Sequence, residues 1–314
     1  MLRHYESLGL VRPTGRTEGG YREYSSEDIR RIFHIESLRS LGLSLKEAGA
    51  ALDDPGFAPA DLVDDLIRRT RERIAHETEL LTRLRRIGAA EPAGWEDVLQ
   101  TVALLHALGS DSAGERQRAA LSPAAEVPVE ALVEAVLGET DTNVAGALRW
   151  GLARAGDAGL ALLAEGLGAP DAEVRVRAVR AVAEIPGDAA TALLRDALAG
   201  PDVRVRRHAA LALGARGAAE AVPALVDMIV EEVNDVDAAE ALGLLAADPE
   251  LAERIAGRLV GRLDGARASA RLRLTEALAD IPGVTPARAL AELSRDEDRA
   301  VALTAASILR RRDA

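Results

Sequence analysis

Apolar residues fall along this chain in two rhythms. In the first 54 residues they come in short groups punctuated by glycine and proline. Leu2–Leu8 stops at Gly9 and reads as the end of a helix. Arg12-Pro13 makes a basic connector, and the pair Gly19-Gly20 between short flanks predicts a tight hairpin. Ser25 with Asp28 opens a helix whose expected buried stripe is Ile29, Ile32, Phe33 and Leu38, stopped at Gly42. Ser44 with Glu47 opens a shorter one to Leu52, ended by Asp53-Asp54-Pro55-Gly56. Pro59–Ile87 then predicts a single long helix. Its residues Val63, Ile67, Thr70, Ile74, Glu77, Leu81 and Leu84 alternate by fours and threes, the spacing of a coiled-coil seam. Thr70 and Glu77 weaken that seam, and a lone helix lying on the next domain is the alternative.

After a linker rich in Ala, Gly and Pro (Gly88–Gly94), the second rhythm begins. Ala172–Gly187 (AEVRVRAVRAVAEIPG) matches Ala268–Gly283 (ASARLRLTEALADIPG) at an offset of 96, and Pro201–Gly217 is a related line. Equivalent anchors are expected at Val144, Val174, Val203, Val236, Ala270 and Val301, spaced 30, 29, 33, 34 and 31 residues apart. A period near 30 with two helical stretches per unit predicts an α-solenoid, because one alanine-rich pair cannot bury its own face. About six pairs fit between Pro128 and Arg312, with Trp95–Leu108 and Ala113–Leu121 as a degenerate capping pair and Ala300–Arg312 as a polar end helix. The D-x-x-V-R-x-x-A-x-x-A-L texture resembles short HEAT repeats. Arg175, Arg177, Arg204 and Arg206, preceded by Asp171 and Asp202, read as inter-repeat ion pairs and solvated ridges. The expected fold is therefore all-α, divided as 1–54, a helix over 59–88, and a solenoid over 95–314.

Composition narrows the chemistry. Aromatic residues are only 2% against 48% hydrophobic, so the cores rest on Ala, Leu, Val and Ile. With no cysteine there are no disulfides, iron–sulfur ligands or thiolate metal sites. The five histidines, His4, His34, His76, His106 and His208, show no metal spacing, and no phosphate loop or nucleophile elbow occurs. No catalytic set, metal or cofactor is expected, and the chain reads as a non-enzyme. Trp150, mid-helix, is expected to pack in the core. Glu231, Glu232 and Asp235, on an expected helix 227–237, read as an acidic patch with no nearby base. No apolar run spans a bilayer and no signal peptide is evident, so a cytoplasmic protein without a membrane partner is expected. Residues 1–90 hold 15 Lys+Arg and 15 Asp+Glu; the rest hold 24 and 36, which is the whole net charge of −12. The acidic remainder should avoid nucleic acid, and the neutral part can bind it only through the placement of its arginines.

The stretch from Leu2 to Tyr24, LRHYESLGLVRPTGRTEGGYREY, resembles the winged-helix domain of MerR-type transcriptional regulators, whose pattern runs roughly R-[YH]-Y-E-x-x-G-L-[LV]-x-P-x-R-x-x-x-G-Y-R-x-Y; the match continues to Leu52. The resemblance implies a homodimer on duplex promoter DNA, bent and untwisted so that polymerase engages, with the seam as an antiparallel two-helix contact. It implies Arg3, His4 and Tyr5 at the groove, with Arg16, Arg22 and Arg39 on phosphates. Thr17, Gly20 and Tyr21 belong to the wing, where arginines and hydroxyls suit phosphate contact. His4 stands where the family often has Tyr. Tyr24 is expected to pack under the wing. Domains of this family begin one helix and one turn earlier than Met1 does here. That implies either an internal methionine of a longer protein or a short form with crippled DNA binding. The branch that senses metals or oxidants through cysteine is excluded. The solenoid would hold an unknown protein or small-molecule effector on its concave face. Two rivals stand beside this reading: an interaction scaffold without DNA binding, and a HEAT-type bilin lyase.

Overall fold

The computed structural model describes residues 1–90, 92–123 and 127–312. Glu91 of the expected linker and residues 124–126 and 313–314 of the expected solenoid lie outside the described residues. The described chain is helical apart from one two-stranded ribbon, and it divides into two compact units, Met1–Arg83 and Leu84–Ala314. Among the described residues no helix is long and apolar enough to cross a membrane.

In the first unit, α1 (Leu2–Ser7) ends ahead of Gly9, whose φ of +72° turns the chain into a connector that buries Leu10 and Val11. Strands β1 (Gly15–Arg16) and β2 (Arg22–Glu23) pair antiparallel, Gly15 opposite Glu23 and Arg16 opposite Arg22. Their turn uses Gly20 at φ +81°, and its N–H donates to the Thr17 carbonyl at 2.8 Å. Helices α2 (Ser26–Ser40) and α3 (Leu45–Asp53) both open with the expected reciprocal caps, Ser25 with Asp28 and Ser44 with Glu47. Tyr5, Leu10, Val11, Ile35, Leu43 and Ala48 form the core, and Leu62 and Leu66 of α4 (Pro59–Ala89) pack against it. Gly49 is part of this fit. A Cβ there would lie 2.4 Å from a Leu10 methyl, so a larger residue would force the Leu10 side chain to move.

One expectation about α2 is corrected. The face turned inward carries Ile32, Ile35 and Leu38, while Ile29 is exposed and Phe33 is 67% exposed. The helix has two apolar ridges, and its period alone did not say which of them meets Tyr5 and Leu10. On α4 the seam residues Val63, Ile67, Ile74, Leu81 and Leu84 are 42–60% exposed, and Thr70 and Glu77 are exposed with them.

The second unit holds seven helix pairs among the described residues. They are α5 (Trp95–Leu108) with α6 (Ala113–Ala120), α7 (Val129–Gly138) with α8 (Thr142–Ala155), and α9 (Leu160–Leu167) with α10 (Ala172–Glu184). Then come α11 (Asp188–Ala199) with α12 (Val203–Ala215), α13 (Val222–Glu231) with α14 (Asp235–Leu245), α15 (Pro249–Val260) with α16 (Ala268–Ala277), and α17 (Val284–Leu293) with α18 (Arg299–Arg312). Even-numbered helices from α6 to α18 stack on one another as a continuous row. A single hydrophobic cluster runs from Leu108 to Ile308, as expected of a solenoid whose pairs bury each other's faces. Small residues set the spacing: a Cβ on Gly214 of α12 would sit 2.9 Å from that of Ala241 on α14.

The repeat register differs from the expected anchors at two places. Val203 and Val236 are exposed, whereas Val205 and Ala238 are buried beside Val144, Ala270 and Val301. Aspartate caps fix this phase. The Asp141, Asp171, Asp202 and Asp298 carboxylates each accept two backbone N–H groups of the first helical turn. The equivalent arginines are therefore Arg175 and Arg206, four residues after a cap, and each donates to two carbonyls of the preceding turn. Arg175 also pairs with Asp202 at 2.7 Å and Arg204 with Glu173, but Arg177 bonds the Leu137 carbonyl, so only two of the four expected ion pairs form. Further corrections follow from the same packing. Trp150 is 47% exposed, with Arg154 stacked 4.6 Å over its ring, while Leu148, Gly151 and Leu152 of the same helix are buried. The expected helix 227–237 is broken after Glu231, where Glu232 and Asn234 take positive φ. Its carboxylates do have bases beside them: Arg207 pairs with Glu231, and Arg273 with Glu232 and Asp235.

Candidate nucleic-acid interface

The candidate surface lies on the first unit and is built outward from Tyr5. This ring is 1% exposed. Its hydroxyl donates to Glu36 of α2 and accepts from Arg39 Nη1 at 3.0 Å, and Arg39 also lies 3.5 Å from Glu36. Burial, together with the Glu36 hydrogen bond, raises the Tyr5 pKa. Tyr5, expected at a groove, is thus a core residue that locks α1 to α2. Its aromatic bulk is what the small core needs, and one polar tip satisfied by two partners makes the burial tolerable. Arg39, expected on phosphate, is held by that same network.

A second network fixes the wing. Glu6 of α1 accepts from the Tyr24 hydroxyl and from Arg22 Nε at 2.8 Å. The Tyr24 bond and then Arg22 lower the Glu6 pKa. Tyr24 also packs against the core, as expected of a residue under the wing. Arg22 therefore clamps β2 to α1 and presents less free charge than a bare arginine. Arg31 performs the third tie: Nε donates to the Leu10 carbonyl at 2.6 Å and Nη2 to Asp53 at 2.6 Å.

What these ties leave outside includes exposed groups with no ion pair among the described residues: Arg3 and His4 on α1, Arg12 on the connector, Arg16 on β1, Arg30 on α2 and Lys46 on α3. Thr17 and Tyr21 are exposed at the wing turn, where the Thr17 side chain accepts the Tyr21 N–H at 3.2 Å. Of the nine residues singled out from sequence, Arg3, His4, Arg16, Thr17, Gly20 and Tyr21 lie exposed, Tyr5 is buried, and Arg22 and Arg39 are engaged. Sequence reasoning passed over Glu6, Glu36 and Arg31, which orient the others, and Arg12, whose place in the basic connector was its signal. Residues 1–54 contain eight Lys+Arg and nine Asp+Glu, so an anion would be attracted by placement and not by net charge.

Comparison with known proteins divides the chain in the same way. Residues 1–54 match the model for the MerR HTH family regulatory protein, and residues 160–246 match the model for HEAT repeats. Nodulation protein NolA of Bradyrhizobium sp. (strain NC92) is 40% identical over 84 residues, which is 27% of this chain and 35% of NolA. HTH-type transcriptional regulator SkgA of Caulobacter vibrioides is 42% identical over 83 residues, 26% of this chain and 31% of SkgA. The chain thus matches about a third of the length of these relatives. A designed armadillo repeat protein overlaps 66% of this chain at a TM-score of 0.36 and 20% identity, a likeness too slight to argue from. The reciprocal caps, the glycine-turned wing and the stacked helix pairs agree with the two family matches: the chain joins a MerR-type segment to a HEAT-repeat solenoid.

Proposed function

We propose that this chain is a DNA-binding transcriptional regulator of the MerR type that acts as a homodimer, with the solenoid serving as its partner- or effector-binding module. The observation that carries the reading is the separation of arginines in the first unit. Arg22, Arg31 and Arg39 are spent on internal ties, while Arg3, Arg12 and Arg16 stand exposed without an ion pair. Exposed guanidinium groups on a short helix and on a wing beside it suit phosphate contact, and His4 next to Arg3 suits a base edge. Arg22 and Arg39 support this surface by position, Arg22 through Glu6 and Arg39 through Tyr5. The exposed seam of α4 supports the dimer, because Ile74, Leu81 and Leu84 find no cover within one chain.

The test is retardation of duplexes drawn from the region upstream of the protein's own gene, at low salt, by wild type, Arg16→Ala and Arg39→Met. Wild type should bind as two chains per duplex. Arg16→Ala should weaken binding to every sequence alike, while Arg39→Met should lower thermal stability as well as affinity. Equal affinity of wild type and Arg16→Ala would overturn the wing's assignment.

A further inference from the structure

The last turn of α4 belongs to the second unit and stands over a cavity of about 390 Å³, within the size range of small-molecule sites. Its apolar walls are Leu105 and Leu108 of α5 with Ala131 and Ala135 of α7. Two arginines reach it, and they differ in how firmly they are held. Arg116 is fully committed. It makes a two-bond fork with Glu139 at 2.7 and 3.0 Å and donates to the carbonyls of Ser110 and Asp111. Glu139 is buried and also accepts the N–H groups of Thr140 and Asp141, so this pair is frame. Arg86, from α4, is different. Its one recorded partner is Glu134, a carboxylate whose side chain is 65% exposed to water. Arg86 itself is only 23% exposed, so the pair is open on the Glu134 side alone, and that carboxylate can swing into water and leave the guanidinium to another anion. The roomier groove beside Arg175 offers no such group, since Arg175 is engaged with Asp202 and two carbonyls.

We infer that this cavity is a binding site for a small organic anion with an apolar body, an aliphatic carboxylate whose chain lies on Leu105, Leu108, Ala131 and Ala135 while its carboxylate takes Arg86 from Glu134. Because Arg86 sits five residues after the seam residue Leu81, the ligand would act on the end of the α4 helix. That consequence rests on the regulator reading given above; the site itself does not.

Calorimetric titration of the full chain with decanoate tests it. Decanoate should saturate at one per chain, and decanol, which keeps the chain and lacks the charge, should bind at least tenfold more weakly. Arg86→Gln should weaken decanoate at least tenfold, Arg86→Lys should restore part of the loss, and Ala135→Leu, which fills the apolar floor, should abolish binding. Arg154→Gln, on the far exposed turn of α8, should leave it unchanged. Absence of saturable binding, equal binding of decanol, or an unaltered Arg86→Gln titration would each overturn the proposal. Duplex affinity measured with and without decanoate separates the two readings. Arg86-dependent decanoate binding by a chain that binds no duplex keeps the site and removes the regulator. Duplex binding by a chain that ignores decanoate does the reverse.

Discussion

The two units differ in how many of their arginines are left facing water. In the solenoid, Arg216 donates to the carbonyls of Val182, Ala183 and Ile185 and to the Thr191 hydroxyl. Ninety-six residues on, Arg312 does the same for Leu278, Ala279 and Ile281. Each closes the C-terminal end of a helix whose last carbonyls have no intrahelical partner. Both arginines are half-buried, and burial lowers their pKa. In the first unit the side chains of Arg3, Arg12 and Arg16 face water with no ion pair among the described residues. An arginine's role is thus set by the unsatisfied groups within its reach. A solenoid exposes a fresh set of helix ends at every repeat, and a small winged unit has few.

The comparison can be broken at several points. The largest effect is expected at the seam of α4. Ile74→Asp with Leu81→Asp puts unpaired charge where two chains are proposed to meet, and dimer affinity should fall by on the order of a thousandfold, about 4 kcal/mol. Sedimentation that still shows a dimer would move the contact to the solenoid. Next, Arg216→Met should destabilise the chain by about 3 kcal/mol in chemical denaturation, because several buried carbonyls lose their donor at once. Arg16→Met should change stability by less than about 0.5 kcal/mol, as surface changes do. Comparable losses from the two would erase the distinction. Gly49→Ala, which drives a Cβ into Leu10, should cost about 2 kcal/mol and disturb the first unit alone.

The smallest effect is a pH slope confined to the solenoid. His208 accepts a hydrogen bond from Arg180 Nε at 3.3 Å, and burial, then Arg180 and Arg204, lower its pKa from 6.5 to about 4. The unfolded chain takes up this proton near pH 6.5 while the folded chain refuses it. Stability should therefore fall as pH drops from 6.5 toward 4, by about 1–2 kcal/mol, and level off below. His208→Gln should flatten that window in melting curves. An unchanged slope would assign the acid sensitivity to other groups.

Much of this architecture was legible from spacing. Caps at Ser25 and Ser44, the turn at Gly20, the long helix α4 and the thirty-residue period all depend on short-range chemistry that a sequence displays. What sequence did not display was the choice between equivalent surfaces. Phe33 and Ile35 are both apolar on one helix, and only the position of Tyr5 decides which goes inside. Val203 and Val205 are likewise two apolar residues in one turn, and the Asp202 cap decides between them. In the candidate interface, charge sign was plain but availability was not, because Arg22 is claimed by Glu6 sixteen residues earlier and Arg39 by Tyr5. Tyr5 itself was misplaced by giving an aromatic in a basic motif a surface role, when its ring could be buried with the hydroxyl tied to Glu36 and Arg39.

On the function proposed above, the freely exposed arginines of the first unit, and not those of the solenoid, hold nucleic acid. Its most direct test is the salt dependence of duplex affinity, measured by fluorescence anisotropy for wild type, Arg3→Ala, Arg16→Ala and the solenoid control Arg154→Ala. Each first-unit variant should reduce the slope of log affinity against log salt by about 1, the release of one counterion for each phosphate contact. Arg154→Ala should lie on the wild-type line. Four parallel lines, or a slope that changes only for Arg154→Ala, would contradict the account.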